Sequence, residues 1–236
     1  MITETFKIFE PNYKTKIAAL IRHENNMEER KVFCIGFNKT GTTSLEAFMR
    51  ENGFKCGNQQ EGELLINSYL KGDWEKLIAF CQSADFFQDL PFSAPKTAAI
   101  LAEAYPNAQY ILTVRENAEI WYNSITEFHK IKFGKNGKLP SKHDLQEAEY
   151  RYKGFAWDAN RALYDSPENE PYNKESLIKS YETHIENVKR IFSGKQNLII
   201  IDLSKPNTVA ELNTFLGIES TLETMPWLNK TSEAKK

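Results

Sequence analysis

The sequence predicts an α/β fold, with a central, mainly parallel sheet flanked by helices. Three observations carry this expectation. Short apolar runs at 32–35, 109–114 and 198–201 alternate with segments of helical periodicity, and strands separated by helices pair in parallel with both faces covered. The first run leads into a glycine-bounded loop and then a helix, Val32-Phe33-Cys34-Ile35-Gly36 through Gly41-Thr42-Thr43-Ser44-Leu45. Finally, 236 residues that are 41% hydrophobic and 26% charged suit one sizeable globular domain. No internal repeat or low-complexity segment interrupts it.

The elements follow in order. Residues 1–30 read as an N-terminal extension, with a helical pattern over Lys14–Arg22 and a polar linker over Glu24–Lys31. After the first strand, Leu45, Phe48 and Met49 share a helix face, and Gly53 ends that helix. Glu61–Leu70 and Trp74–Cys81 read as short helices, and Ala84–Gln88 as a short strand that delivers Asp89. A helix over Pro95–Tyr105 precedes a buried strand over Gln109–Val114. Asn117–Ile131 is amphipathic, with Trp121, Ile125 and Phe128 in register, and the glycines and proline of 133–140 make a loop. Leu145, Ala148, Tyr152, Phe155, Ala159 and Leu163 predict one long helix, and Ile178, Tyr181, Ile185, Val188 and Phe192 a second. Leu198–Ile201 suits a central parallel strand. Val209, Leu212 and Phe215 mark a last helix before Gly217, and residues 231–236 read as a flexible tail.

The loop carries the chemistry. Gly36-x-x-x-x-Gly41-x-Thr43 is the frame of a phosphate-binding P-loop. Glycines at both ends permit unusual backbone angles, so that several N–H groups converge into an anion nest. Thr42 and Thr43 open a helix whose first N–H groups and dipole favour negative charge. Where a nucleoside-triphosphate hydrolase has lysine, this chain has Thr42; its lysine is Lys39, inside the loop. Ordinary ATP hydrolysis is therefore not the expected chemistry.

Lys39-Thr40-Gly41-Thr42-Thr43-Ser44 after an apolar strand resembles the 5′-phosphosulfate loop of sulfotransferases that use 3′-phosphoadenosine 5′-phosphosulfate (PAPS). Tyr110-Ile111-Leu112-Thr113-Val114-Arg115, followed by Trp121-Tyr122-Asn123-Ser124, resembles the family's 3′-phosphate motif. Asp89-Leu90-Pro91, Ala104 to Ala108, and the ending Leu216-Gly217-Ile218 through Pro226 to Lys230 match in order and spacing, so the resemblance spans about residues 32–230. It implies a three-layer P-loop-kinase-like fold over 31–230 and transfer of a sulfuryl group to a hydroxyl or amine, releasing 3′,5′-adenosine bisphosphate (PAP). It places the donor against Asn38, Lys39, Thr40, Gly41, Thr42, Thr43 and Ser44. Arg115 would take the 3′-phosphate, and Lys230 is added from the C-terminal motif. The interval from arginine to serine is one residue longer than the family's, so the second 3′-phosphate contact is Asn123 or Ser124.

Lys39 is placed to neutralise leaving-group charge, which grows as in phosphoryl transfer, or to protonate the bridging oxygen. Arg115 ends a buried strand, where open α/β sheets bind ligands, and its fork suits a phosphate. The plain alternative is a salt bridge to Glu116 or Glu119. Two residues compete as the base. Asp89 stands where cytosolic members of the family have a catalytic histidine in a His-Leu-Pro context, and burial would raise its pKa; otherwise it is a turn residue beside Pro91. His129 is the other candidate. The reading needs no metal; Asp89 and Asp202 are the only acidic residues placed for a magnesium ion near Thr43.

Other classes are disfavoured. A formal charge of -2 gives no bulk reason to expect nucleic-acid binding. Three scattered cysteines, Cys34, Cys56 and Cys81, have neither metal nor disulfide spacing. There is no Gly-x-Ser-x-Gly, His-Glu-x-x-His or Cys-x-x-Cys. No run approaches the roughly 18 apolar residues of a membrane span, and no leader pattern opens the chain, so a cytoplasmic enzyme is expected. Its acceptor is a small molecule, lipid or carbohydrate. Phe86, Phe87, Phe92, Tyr122, Phe133, Tyr150 and Trp157 are available to line the acceptor site. The competing readings are a P-loop kinase or hydrolase, and an inactive nucleotide-binding module.

Overall fold

The computed structural model describes residues 30–226 and residue 228. The extension before residue 30, Lys230 and the tail lie outside the described residues. Four strands form one parallel sheet: β1 (Val32–Cys34), β2 (Phe86–Phe87), β3 (Gln109–Thr113) and β4 (Leu198–Ile201), in the order β2-β1-β3-β4. Successive side chains alternate across a strand, and the core divides accordingly. Val32, Cys34 and Ile111 pack with the helices α1 (Thr42–Glu51) and α10 (Thr208–Leu216). Phe33, Tyr110 and Leu112 face the other layer. That layer holds α5 (Thr97–Ala104), α6 (Ala118–Lys132) and α9 (Lys174–Ile191). The result is the expected three-layer α/β architecture, with β1 and its loop in the middle. Lys31, read as the end of a polar linker, is instead buried, and its Nζ donates to the Ala84 carbonyl (2.7 Å).

Several helix boundaries fall where the sequence puts them. Asn117 caps α6, its side chain accepting the Ile120 N–H at 2.9 Å. Beyond α1, Gly53 adopts φ 82°. The segment 61–70 is two helices, α2 (Gln59–Leu64) and α3 (Ile66–Lys71), followed by α4 (Trp74–Phe80). The long helix expected over 145–163 is broken into α7 (Lys142–Glu147) and α8 (Phe155–Leu163). Gly154 at φ 94° ends a loop that an isolated bridge between Glu149 and Lys153 closes. Tyr152 and Phe155 both still pack on the core, which is why the apolar spacing survives the break. β4 is an edge strand among the described residues, not a central one, and Ile200 is 39% exposed. Only Ile201 of the strand is buried, and Leu198 and Ile199 are half-buried.

Gly36 is a glycine for a different reason from the one its motif suggests. Its φ is not positive; a Cβ there would lie 2.1 Å from Thr113 Oγ1 and 2.5 Å from the Thr113 carbonyl oxygen. Close approach of β1 to β3 therefore excludes any side chain. Gly41 does have the expected left-handed conformation, at φ 99°. Among the described residues, no helix is long and apolar enough to cross a membrane.

Candidate active site

The loop after β1 is held by bonds from β3, from α6 and from Arg115 just past β3. Thr40 Oγ1 donates to the Phe37 carbonyl (2.5 Å) and bonds Thr113 Oγ1 on β3 (2.6 Å). The indole N–H of Trp121 on α6 donates to the Asn38 carbonyl (3.0 Å). Arg115, just past β3, donates from Nε to the Lys39 carbonyl (2.7 Å). These bonds fix Lys39 at φ 67°, a region that a lysine rarely occupies. Gly41 then turns the chain into α1, whose N-cap supplies no side-chain cap to the first N–H groups. Beneath the loop, His184 is buried, bonds the Ile35 carbonyl through Nε2 (2.7 Å) and stacks on Phe37. Burial holds its pKa down, to about 4. It is a core residue.

Above the loop is a cavity of about 410 Å³. It is lined by Asn38, Lys39, Gly41, Thr42, Thr43, Asp89, Arg115 and His129, so the structure gathers most of the candidate residues in one place. Lys39 Nζ lies 4.3 Å from the centre of the Phe128 ring. Desolvation first, and then the Arg115 charge, lower its pKa to about 8, against an upward pull from Asp89. The salt bridge from Arg115 to Glu116 or Glu119 is not formed among the described residues: Glu116 pairs with Lys205 and Glu119 with Lys174. The Arg115 N–H donates to Tyr181 Oη (2.9 Å), so the residue is anchored at both ends.

The candidate bases differ sharply. Asp89 sits at φ 60°, its Oδ1 accepting the Leu90 N–H (2.9 Å) and its Oδ2 the Gln59 amide (3.0 Å). Burial and the nearby Glu63 and Glu46 carboxylates raise its pKa to about 7, despite the Leu90 N–H and Arg151. His129 bonds Tyr172 Oη through Nδ1 (2.8 Å), and burial plus the Lys39 charge push its pKa down to about 3. It is a neutral imidazole across the physiological range.

Some candidates do not line the cavity. The Thr40 hydroxyl is used within the loop, and Ser44 Oγ accepts the Leu228 N–H (3.1 Å). Asn123 is exposed and Ser124 half-buried on α6, both outside the lining. Asp202, the second acid considered for magnesium, is also outside it. Of the aromatic candidates, Phe133 and Tyr150 line the cavity, whereas Phe86, Phe87 and Phe92 are core. Tyr122 and Trp157 pack against that core, outside the lining.

The structure adds residues that sequence reasoning missed. Gln59 on α2 donates to both Asp89 and Glu63 (3.0 and 2.9 Å), and Glu63, only 4% exposed, is paired with Arg151. Gln88 extends the chain of bonds to Glu46 (2.9 Å). Arg151 reaches the cavity, beside the already considered Tyr150, because the loop before Gly154 replaces the predicted helix. The polar run before that glycine was the available signal.

The family profile described as a sulfotransferase domain matches residues 31–234, most of the chain. The protein therefore belongs to the sulfotransferase family, which agrees with its parallel sheet and loop. No curated protein matches the chain significantly.

Proposed function

We propose that this sulfotransferase uses PAPS as donor, transfers its sulfuryl group to a hydroxyl or amine acceptor, and releases PAP. The observation that carries the reading is the meeting of Lys39, Arg115, Asp89 and the first residues of α1, Thr42 and Thr43, around one cavity. Two cations and a helix N-terminus suit a ligand with several phosphate-type charges.

In this reading the N–H groups of residues 40–43 and the Thr42 and Thr43 hydroxyls hold the 5′-phosphosulfate. Thr40 and Ser44 shape the loop through their side-chain bonds, and Lys230 adds a contact from the C-terminal motif. Lys39 neutralises charge that grows on the departing phosphate oxygen. Arg115 takes the 3′-phosphate with the part of its fork not bonded to Lys39, and half-buried Ser124 is favoured over exposed Asn123 as its partner. Asp89 receives the acceptor's proton, because a pKa of about 7 leaves much carboxylate at neutral pH while keeping it basic. His129, neutral and oriented by Tyr172, contributes a hydrogen bond rather than the base. The scheme requires no metal, and it suits a cytoplasmic enzyme supplied with PAPS.

Calorimetry tests the donor assignment. PAP is expected to bind without magnesium, and ATP or GTP with magnesium more weakly. Magnesium-dependent ATP binding with no PAP binding would identify a P-loop kinase or hydrolase instead. PAP binding without turnover on any acceptor would identify an inactive nucleotide-binding module.

A further inference from the structure

Gln59, the first residue of α2, lines the cavity and serves two carboxylates at once. Its amide Nε2 donates to Asp89 Oδ2 (3.0 Å) and to Glu63 Oε1 (2.9 Å). Its amide oxygen accepts the Gln88 amide (3.4 Å), which also donates to Glu46 (2.9 Å). Both hydrogens of one Gln59 nitrogen are therefore spent on carboxylate oxygens, an arrangement that suits ionised acceptors.

A buried second carboxylate beside Asp89 needs a partner of its own. Glu63 is 4% exposed, and Arg151 pairs with its Oε2. The Arg151 guanidinium is itself braced, 4.4 Å from the centre of the Tyr150 ring. The contacts thus run in a chain from Arg151 through Glu63 and Gln59 to Asp89. At its end Asp89 keeps φ 60°, and its Oδ1 accepts the Leu90 N–H (2.9 Å). Each Asp89 oxygen takes one N–H, and further lone pairs are left for an incoming proton.

We propose that Gln59 is a positioning residue for Asp89: its amide holds the ionised carboxylate in one orientation for the acceptor's proton, and the Arg151–Glu63 pair lets two carboxylates share that amide. The inference rests on the sulfotransferase reading above, with Asp89 as its base. In the step served, the acceptor oxygen bonds to sulfur as the bond from sulfur to the bridging phosphate oxygen breaks. That oxygen leaves with PAP and the bonding pair, and the acceptor's proton passes to Asp89. Gln59 acts through Asp89, not on the reacting atoms.

The charges around Asp89 set the sign of the expected effect. Burial and the Glu63 and Glu46 carboxylates raise its pKa, while the Leu90 N–H and Arg151 lower it. Lys39 feels the Asp89 charge, and Arg115 and Lys132 line the same cavity. Tyr150, Tyr164 and Cys34 also feel it, but burial raises all three pKa values and keeps these groups neutral near pH 7. A hydrogen bond to the charged form favours that form. Loss of the Gln59 donor should therefore move the Asp89 pKa up, and loss of Arg151 should do the same.

The test titrates the full chain by NMR, isotope-labelled at the aspartate carboxyl carbons, with no donor or acceptor present. The Asp89 resonance is the one lost in Asp89→Asn, and its wild-type midpoint is expected at about 7. Gln59→Met should raise that midpoint by about 1–2 units, with PAP affinity and Tm near wild type. Arg151→Met should raise it too, and adding Glu63→Gln should return it to the wild-type value or below. With a proven acceptor at saturating PAPS, Gln59→Met should lower kcat at pH 7 by about 10-fold or more, leave the acceptor KM near wild type, and move the acidic limb of kcat/KM to higher pH. An unmoved or lowered midpoint in Gln59→Met, or a raised one accompanied by loss of PAP affinity and Tm, would overturn the positioning role. An Arg151→Met midpoint at the wild-type value would overturn the part given to the Arg151–Glu63 pair. Wild-type turnover in Asp89→Asn would remove the base and this inference while leaving the donor reading intact; no PAP binding by the wild-type chain would remove both.

Discussion

Lys39 links donor affinity to pH in a way the structure makes quantitative. Desolvation and the Arg115 charge bring the ammonium to about pKa 8 in the free protein, so it is mostly charged at pH 7. A bound phosphate favours the charged form and raises that pKa. A charged hydrogen bond is worth about 1.5–3 kcal/mol, and a pKa unit about 1.4 kcal/mol, so the bound value rises by about 1–2 units. PAP affinity should then be flat from pH 7 to just below 8 and fall as pH rises, by about 10–150-fold in total once Lys39 is neutral in both states. Ligand phosphates do not confuse the range, because their second pKa is near 6. The same downward shift means that folding opposes the charge: the penalty is full below pH 8 and is relieved as pH rises toward the unfolded value of 10.5. Calorimetry of PAP across pH 7–10.5, in buffers of different ionisation enthalpy, reads both affinity and proton uptake. Lys39→Arg should abolish the slope, since its guanidinium stays charged, and Lys39→Met should bind weakly at every pH. A flat wild-type profile with no proton uptake near pH 8.5, or a slope that survives in Lys39→Arg, would refute the assignment.

Other perturbations separate the remaining roles. Arg115→Ala removes both the fork and the bond to the Lys39 carbonyl, so adenosine 5′-phosphosulfate, which lacks the 3′-phosphate, should weaken by up to about 10-fold and PAP by about 100-fold or more; equal losses in parallel calorimetry would make Arg115 purely structural. Asp89→Asn should cut turnover by about 10²–10⁴-fold while leaving PAP affinity intact, measured with a proven acceptor. Glu63→Gln removes a like charge that raises the Asp89 pKa, so the acidic limb of the kcat/KM profile should move to lower pH; an unmoved limb would exclude Asp89 as the titrating base. Gly36→Ala forces a Cβ to within 2.1 Å of Thr113 Oγ1, so stability should fall by about 1–3 kcal/mol or more in denaturant titration.

Much of the fold is legible because local and global signals agree. The strand, loop and helix from Val32 to Glu51, and the capped helix after Asn117, carry their own start and stop signals. The errors arise where periodicity is silent about space. Tyr152 and Phe155 keep helical spacing across a loop, so the polar run that ends at Gly154 is what marks the break. Leu198–Ile201 reads as central by its composition, yet among the described residues it lies at an edge with only Ile201 buried. At the site, the loop residues, Arg115 and Asp89 are readable since a motif places each at the end of a strand. Gln59, Glu63, Arg151 and Tyr164 are not. They come from three separate segments, and only the folded chain brings them around Asp89.

A crystal structure of the protein with PAP tests the central claim most directly. The account predicts a 5′-phosphate within about 2.7–3.2 Å of N–H groups from residues 40–43. It also predicts the 3′-phosphate on Arg115, and no metal ion between them. Phosphates bound away from this loop, or a PAP molecule that leaves Lys39 and Arg115 untouched, would contradict it.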